Sequence, residues 1–332
     1  METTNMSYAK NTFGAFGLAA ALLMPVTVLA EEASAQSLSK KPVTLVVAFG
    51  AGSGSDVVAR VIAEPLSKQL GTPVIIENRP GAVGQIGLQQ VRRSVPDRHT
   101  LLFGEAGILA IYPLAKKPAP FNPLKDFVHI SFIGETGLTW LVPAQRGYKS
   151  VKDYVARQQG HDKTMLLSVA LANDVATSLF ADLAGFKYEP IAVRSAGDVV
   201  PLIASGDAEG VFVSNAFAAA QIAGGRLIGL MQTGDFRSKI LPDVPTAAEA
   251  GFPRVIAPMW FSLAAPAGTP GAIVEQLNKA INNALQDSVV RQKLEGLGVA
   301  PAGSSVDSMH KRLAKDLSDW GPVVEKSDVR VP

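Results

Sequence analysis

The spacing of apolar positions changes character between Val43 and Arg60. Val43, Leu45, Val46, Val47 and Phe49 form a short, nearly continuous apolar run, the pattern of a parallel strand covered on both faces. After a glycine–serine turn, apolar residues recur at 57, 58, 61, 62, 66 and 70, which is one face of a helix stopping at Gly71. Ser55 is the expected N-cap of a helix starting at Asp56, and Pro65 should kink that helix or shorten its last turns. Gly50, Gly52 and Gly54 alternate with small residues, so backbone amides can lie bare at the positive end of the helix dipole. Such a turn holds anions, and a carboxylate is the expected occupant.

The same alternation continues. A strand is expected over Pro73 to Glu77, a helix through Ile86 to Arg93 and a strand from Thr100 to Gly104, the signature of a parallel sheet. Glu105 to Pro123 is proline-rich and reads as irregular, and Phe127 to Val142 as extended segments crossing to a second domain. Helix Ser150/Val151–Gln159 leads into strands at Thr164–Val169, Pro190–Val193, Gly210–Val213 and Leu227–Met231, with helices at Asn173–Ala184, Gly197–Ala204 and Ala216–Ala223 between them. LPDVPTAAEAG (241–251) reads as a loop entering a short helix capped by Thr246. Trp260 to Ala265 is extended, Pro270 to Asp287 is amphipathic, and helices at Ser288–Leu297 and Ser305–Lys326 close the chain. The fold class is α/β, with two lobes and a cleft between them. The expected organisation is lobe 1 from 36–140 plus about 260–332, and lobe 2 from about 141–259. Ligands in such folds sit beyond the carboxyl ends of the strands. The opening turn, Glu105 to Ile108, Ala170 to Asn173 and Ser214-Asn215 all follow strands and are expected to converge there.

Composition narrows the class. The chain has 332 residues, 47% apolar and 18% charged, enough for a sizeable core. Its net charge of +2 is scattered without a basic stripe, so no nucleic-acid or DNA-binding role is expected. Phe13 to Ala30 is an uncharged apolar run preceded by Lys10 and followed by Ala33-Ser34-Ala35, which reads as a secretory signal peptide cleaved after Ala30 or Ala35. An anchor helix is the competing reading, since the run is near the lower length for spanning a bilayer. The expected product is a soluble periplasmic protein. With no cysteine, a disulfide scaffold and a thiol nucleophile are both excluded.

The turn fails the enzymatic patterns. The last position of a dinucleotide fingerprint falls on Ser55, no lysine completes a phosphate loop, and Ala51 and Ser55 stand where a nucleophile elbow around Ser53 needs glycines. His99, His129, His161 and His310 are far apart, without metal-ligand spacing, and read as surface or loop residues; no metal or cofactor is expected. Asp56 either complements the helix dipole or contacts a ligand, and Trp260 either lines the cleft or fills the core. No catalytic base stands out, so the chain reads as a binding protein and not an enzyme; a hydrolase or transferase using Ser53 or Ser55 is the alternative.

FGAGSGSDVVAR, VIIENRPGAVGQIG, PDRHTLLFG, LPDVPTAAEAG and WFSLAAPAGTP, in this order from about Lys41 to Trp320, resemble the Bug family of periplasmic solute receptors of tripartite tricarboxylate transporters. The resemblance implies a type II-like periplasmic binding protein closing on a small organic anion, with one large and one small transmembrane subunit as partners, or a membrane sensor in some systems. It places Ala51, Gly52, Ser53, Gly54, Ser55 and Asp56 at the carboxylate anchor, and Glu105, Ala106, Ala170, Asn173, Arg194, Ser195, Ser214 and Asn215 on the loops facing it. The family's two prolines before its glycines are Gly50 and Ala51 here, its serine or threonine after the third strand is Glu105 or Ala106, and an aspartate position is Val213. Few donors remain across the cleft, chiefly Asn173, Arg194, Ser195 and Asn215. A buried, unpaired second carboxylate is costly, so the expected ligand is a monocarboxylate with an apolar or aromatic body. Glu105 is read as attracting an ammonium or facing solvent.

Overall fold

Strand β1 (Val43–Val47) sits inside a sheet with both faces covered: Val43, Leu45 and Val47 enter one core and Val46 the other, as the two-residue period of a strand demands. The computed structural model describes residues 41–193, 198–257 and 259–327. The expected signal peptide therefore lies outside the described residues. Helix α1 (Gly54–Leu70) runs on past Pro65 to Gly71, whose φ of 63° ends it in the left-handed conformation glycine tolerates. Strand β2 (Val74–Asn78), helix α2 (Gln85–Arg92) and strand β3 (Thr100–Glu105) follow, with β1 parallel to both β2 and β3.

The proline-rich stretch is less irregular than its composition suggests. It holds a π-helical turn (Gly107–Ile111) and short helices α3 (Tyr112–Ala115) and α4 (Pro123–Asp126), each with proline in the first turn, where a missing N–H costs nothing. Strand β4 (Phe127–Thr136) stays in the first sheet, while β5 (Leu138–Pro143) enters a second. Gly137 marks the break: a Cβ there would lie 2.2 Å from the Thr233 carbonyl oxygen.

The second sheet is built by β5, then helix α5 (Val151–Gln158), strand β6 (Thr164–Ser168), helix α6 (Leu171–Ala184), strand β7 (Tyr188–Ala192), helix α7 (Val199–Ala204), strand β8 (Val211–Ser214), helix α8 (Asn215–Ala223) and strand β9 (Leu227–Gln232). β5 runs antiparallel between β8 and β9, β6 pairs parallel with β7, and a Leu166–Gly210 bridge links the two ladders. The chain then returns. Strand β10 (Met259–Pro266) inserts antiparallel between β3 and β4, so the first sheet is mixed and not purely parallel. Helices α9 (Gly271–Gln286) and α10 (Ser288–Gly296), strand β11 (Ala300–Pro301) and helix α11 (Val306–Lys326) complete the order β11-β4-β10-β3-β1-β2. α9 buries Val274, Leu277, Ile281 and Leu285 against the same core as α1, at the helical spacing the sequence shows.

Two expectations change. LPDVPTAAEAG makes only a turn, although Thr246 and Glu249 exchange the two bonds of a capping box: the Glu249 amide donates to Thr246 Oγ1 (3.1 Å) and the Thr246 amide to Glu249 Oε2 (2.7 Å). His99 and His129 are buried, not superficial. His129 Nε2 lies 2.8 Å from the Pro123 carbonyl, and burial holds its pKa down to about 4. No described helix is long and apolar enough to cross a membrane.

Candidate functional site

The turn between β1 and α1 is clasped from beneath by Asp56. This side chain is buried; its Oδ2 accepts from the Gly52 amide (2.8 Å) and Arg60 Nε (3.0 Å), and its Oδ1 from Asn78 Nδ2 (2.9 Å). Asn78, at the end of the neighbouring β2, also donates to the Phe49 carbonyl at 3.0 Å. Gly52, at φ 81°, takes the left-handed conformation that turns its amide toward the carboxylate. Of the two readings open for Asp56, the dipole reading fits its place in the first turn of α1, and its carboxylate is bonded into the turn as well. The carboxylate is used up in shaping the turn.

The helix cap is Ser53 and not Ser55. Ser53 has extended backbone angles and its Oγ accepts from the Asp56 amide at 3.2 Å. The amides of Gly54 and Ser55, in the first turn of α1, have no partner among the described residues. The Ser55 hydroxyl donates instead to Glu105 Oε2, at the end of β3. Glu105 is half-buried, and burial pushes its pKa up to about 7 against the opposing bond from Ser55. Ala106 beside it is buried.

On the second lobe, Ala170 occupies the cap position of α6 with no side-chain cap, and the amides of Leu171, Ala172 and Asn173 have no partner among the described residues. Leu171 packs against the core that contains Ala106 and Ile108, which brings this loop up to the loop after β3. Asn173 and Asn215, expected to offer donors to a ligand, are buried and engaged within the lobe. Asn173 Nδ2 donates to the Phe212 carbonyl (2.7 Å); Asn215 accepts from Thr139 Oγ1 (2.7 Å) and donates to Gln232 Oε1 (3.3 Å). Ser214 caps α8, accepting from the Phe217 amide at 3.4 Å. Arg194 and Ser195 lie outside the described residues. Asp174 was not singled out by the sequence: it accepts from Ser168 Oγ at 2.8 Å, and burial raises its pKa to about 6. It lines a groove of about 860 Å³ between α6, the β6–β7 ladder and the end of α11. Asn78, Arg60 and Asp174 were missed because their roles depend on partners far off in sequence or one helical turn away. Trp260 is core: it is fully buried and its Nε1 donates to Asp316 Oδ2 at 2.6 Å.

No described group of His, Asp or Glu side chains could hold a metal ion. Ser53 is taken up as a helix cap, while Ser55 donates its hydroxyl proton to the Glu105 carboxylate.

The family model described as tripartite tricarboxylate transporter family receptor matches residues 58–329. The chain belongs to this receptor family. It is 28% identical to Protein BugT of Bordetella pertussis over 331 residues, covering 98% of this chain and 99% of that one. It is 30% identical over 318 residues to an Agrobacterium vitis protein encoded in the ttuE–ttuC′ intergenic region, covering 91% of each. Among solved structures it resembles MatC from Rhodopseudomonas palustris with bound malate (TM-score 0.75, 27% identity, 85% of this chain and 98% of that one). It also resembles an R. palustris protein solved with adipate (TM-score 0.79, 27% identity, 87% and 98%). The two-lobed α/β fold and the solute-binding role are those of the family, whose members are receptors and not enzymes.

Asp56 also gives a tripartite-transporter receptor of this kind a specific acid response. Burial alone would raise its pKa, but the bonds from Arg60, the Gly52 amide and Asn78 outweigh that and hold it at about 2. An unfolded aspartate titrates near ~3.9, so the unfolded chain binds the extra proton and stability falls as pH drops from about 4 to about 2. Glu105 and Asp174, with raised values, stay protonated in the folded protein and titrate only in the unfolded chain near the top of that window, an opposite slope shared by both proteins compared here. The urea midpoint of the wild type should fall between pH 4 and 2, and that of Asp56→Asn should fall less steeply. Parallel pH profiles for the two proteins would show that the clasp does not act this way.

Proposed function

We propose that this receptor captures a small organic monocarboxylate with an apolar or aromatic body, in the periplasm, and delivers it to a transporter made of one large and one small transmembrane subunit. The observation that carries the ligand reading is the pair of bare amides at Gly54 and Ser55, on a turn that Asp56 holds in shape. Two amides and the positive end of a seventeen-residue helix suit one carboxylate. Among the described residues, the apolar surroundings of Ala106 and the inward engagement of Asn173 and Asn215 leave little to pair a second charge; Arg194 and Ser195 lie outside them. Export to the periplasm rests on the apolar run Phe13 to Ala30 with the small residues after it, and the membrane partners rest on family membership.

A second reading has one observation in its favour. The bare amides at the start of α6 could accept the far end of a linear dicarboxylate, and two related structures carry malate and adipate. Asp174 stands in that same first turn and already complements the helix dipole, which favours the monocarboxylate. Differential scanning fluorimetry against benzoate, hexanoate, 3-phenylpropionate, adipate, malate and citrate separates the readings. The expected result is stabilisation by one of the first three. A large shift with citrate and none with the monoacids would sink the proposal, and a shift confined to adipate or malate would establish the second reading.

A further inference from the structure

We propose that Glu105 is the residue that decides which charge the cleft accepts, and that a plain carboxylate is bound together with one proton taken up at Glu105. This deepens the carboxylate reading of the turn and rests on it. The Ser55 hydroxyl joins Glu105 to the residue whose amide is bare, so the acid lies within one serine side chain of the anion site. A ligand carboxylate on those amides and an ionised Glu105 would be two anions at close range, which raises the proton affinity of the pair.

Among the described residues, no cation pairs with Glu105. Glu105 is bonded by a neutral hydroxyl, its β10 partner is Phe261, and its Oε1 lies 3.3 Å from where a Cβ on Gly107 would stand. The charged groups on packed elements are committed elsewhere. Asp56 and Arg60 of α1 pair with each other, Asp174 of α6 is bonded by Ser168, Arg312 of α11 pairs with Glu135, and Asp316 takes the Trp260 indole. Burial already lifts the Glu105 pKa to about 7 against the lowering bond from Ser55, so protonation near neutrality requires little. The protonated acid also has an O–H to direct at the ligand, and it releases Ser55 from the role of sole donor.

The sign follows. A plain carboxylate binds the protonated form, so affinity is full at pH values below about 7 and falls by up to ~10-fold per pH unit above it. Titration calorimetry with 3-phenylpropionate and hexanoate from pH 5.5 to 8.5, in buffers of different ionisation enthalpy, should show this loss and the uptake of close to one proton at pH 8. Glu105→Gln keeps an oxygen for Ser55 but cannot ionise; it should lose the slope and bind more tightly than wild type at pH 8. Phenylalanine, which adds an ammonium to 3-phenylpropionate, should bind less well than its parent at pH 6. Affinity that is independent of pH, or an unchanged slope in the glutamine variant, would overturn the proposal while leaving carboxylate binding standing. Preference for phenylalanine would overturn it in favour of an ammonium partner for Glu105. Should the variant fail to fold, the wild-type slope and proton uptake decide alone. No binding of either acid at any pH would overturn the carboxylate reading and this inference together.

Discussion

Gly54→Pro is expected to leave the fold intact and to weaken carboxylate binding roughly 10- to 150-fold. Gly54 is the first residue of α1, where proline is tolerated because the amide has no helical partner to lose. The preceding residue, Ser53, has φ −67° and ψ 160°, the extended conformation that a residue before proline prefers. A Cβ at position 54 meets nothing within 4 Å. The substitution therefore removes one N–H and little else. If that N–H faces the ligand carboxylate, the loss is that of a hydrogen bond to a charged group, about 1.5–3 kcal/mol, which converts to the stated range. Calorimetry with the best-stabilising monoacid, alongside the thermal midpoint of the ligand-free protein, checks both halves. An unchanged midpoint with unchanged affinity would show that the Gly54 amide is not a ligand contact.

This prediction depends on a detail the sequence left two residues out of register. In GSGS, both Ser53 and Ser55 satisfy the local requirements of an N-cap. The choice is made from outside the tetrapeptide. Asp56 reaches back to the Gly52 amide, Gly52 adopts positive φ, and Ser53 is left in the capping position. Ser55 then falls inside the helix, where its hydroxyl meets Glu105, fifty residues away. Strand and helix periods were legible because they arise from burial on one or two faces. The partner of Ser55 was not, because it is set by the pairing of β1 with β3. The same distinction explains the sheets. The run from Phe127 to Val142 reads as extended, and it is, but its division between two sheets at Gly137 is imposed by the Thr233 carbonyl crossing beside it. The antiparallel insertion of β10 between β3 and β4 likewise depends on where the chain returns, and no local period records that. On the far side of the cleft, polar residue type suggested donors at Asn173 and Asn215, whereas their burial assigns them to bracing α6 and α8.

The largest loss of stability is expected from Trp140→Ala, about 3–5 kcal/mol, the usual range for removing a buried tryptophan. Trp140 of β5 is fully buried, with ring centroids of Phe212, Phe180 and Tyr154 at 4.8, 5.2 and 5.6 Å. Gly210 leaves room for it, since a Cβ there would lie 2.4 Å from the indole. The surrounding rings lock one another, so the cavity cannot easily collapse. Against a total of ~5–15 kcal/mol for an ordinary domain, such a loss brings the second lobe close to unfolding. Its effect extends to α6. Phe212, which packs on the indole, supplies the carbonyl that anchors Asn173 at the start of α6, so loosening the ring should also loosen the start of that helix. Trp140→Phe should cost less than half as much, because it keeps a ring against Phe212 and Phe180 and removes an indole N–H that is buried without a partner among the described residues. Urea unfolding of the two variants, followed by tyrosine and residual tryptophan fluorescence, measures both losses. A cost below ~1 kcal/mol for the alanine variant, well under the range for core aromatics, would mean that this cluster does not hold the lobe together.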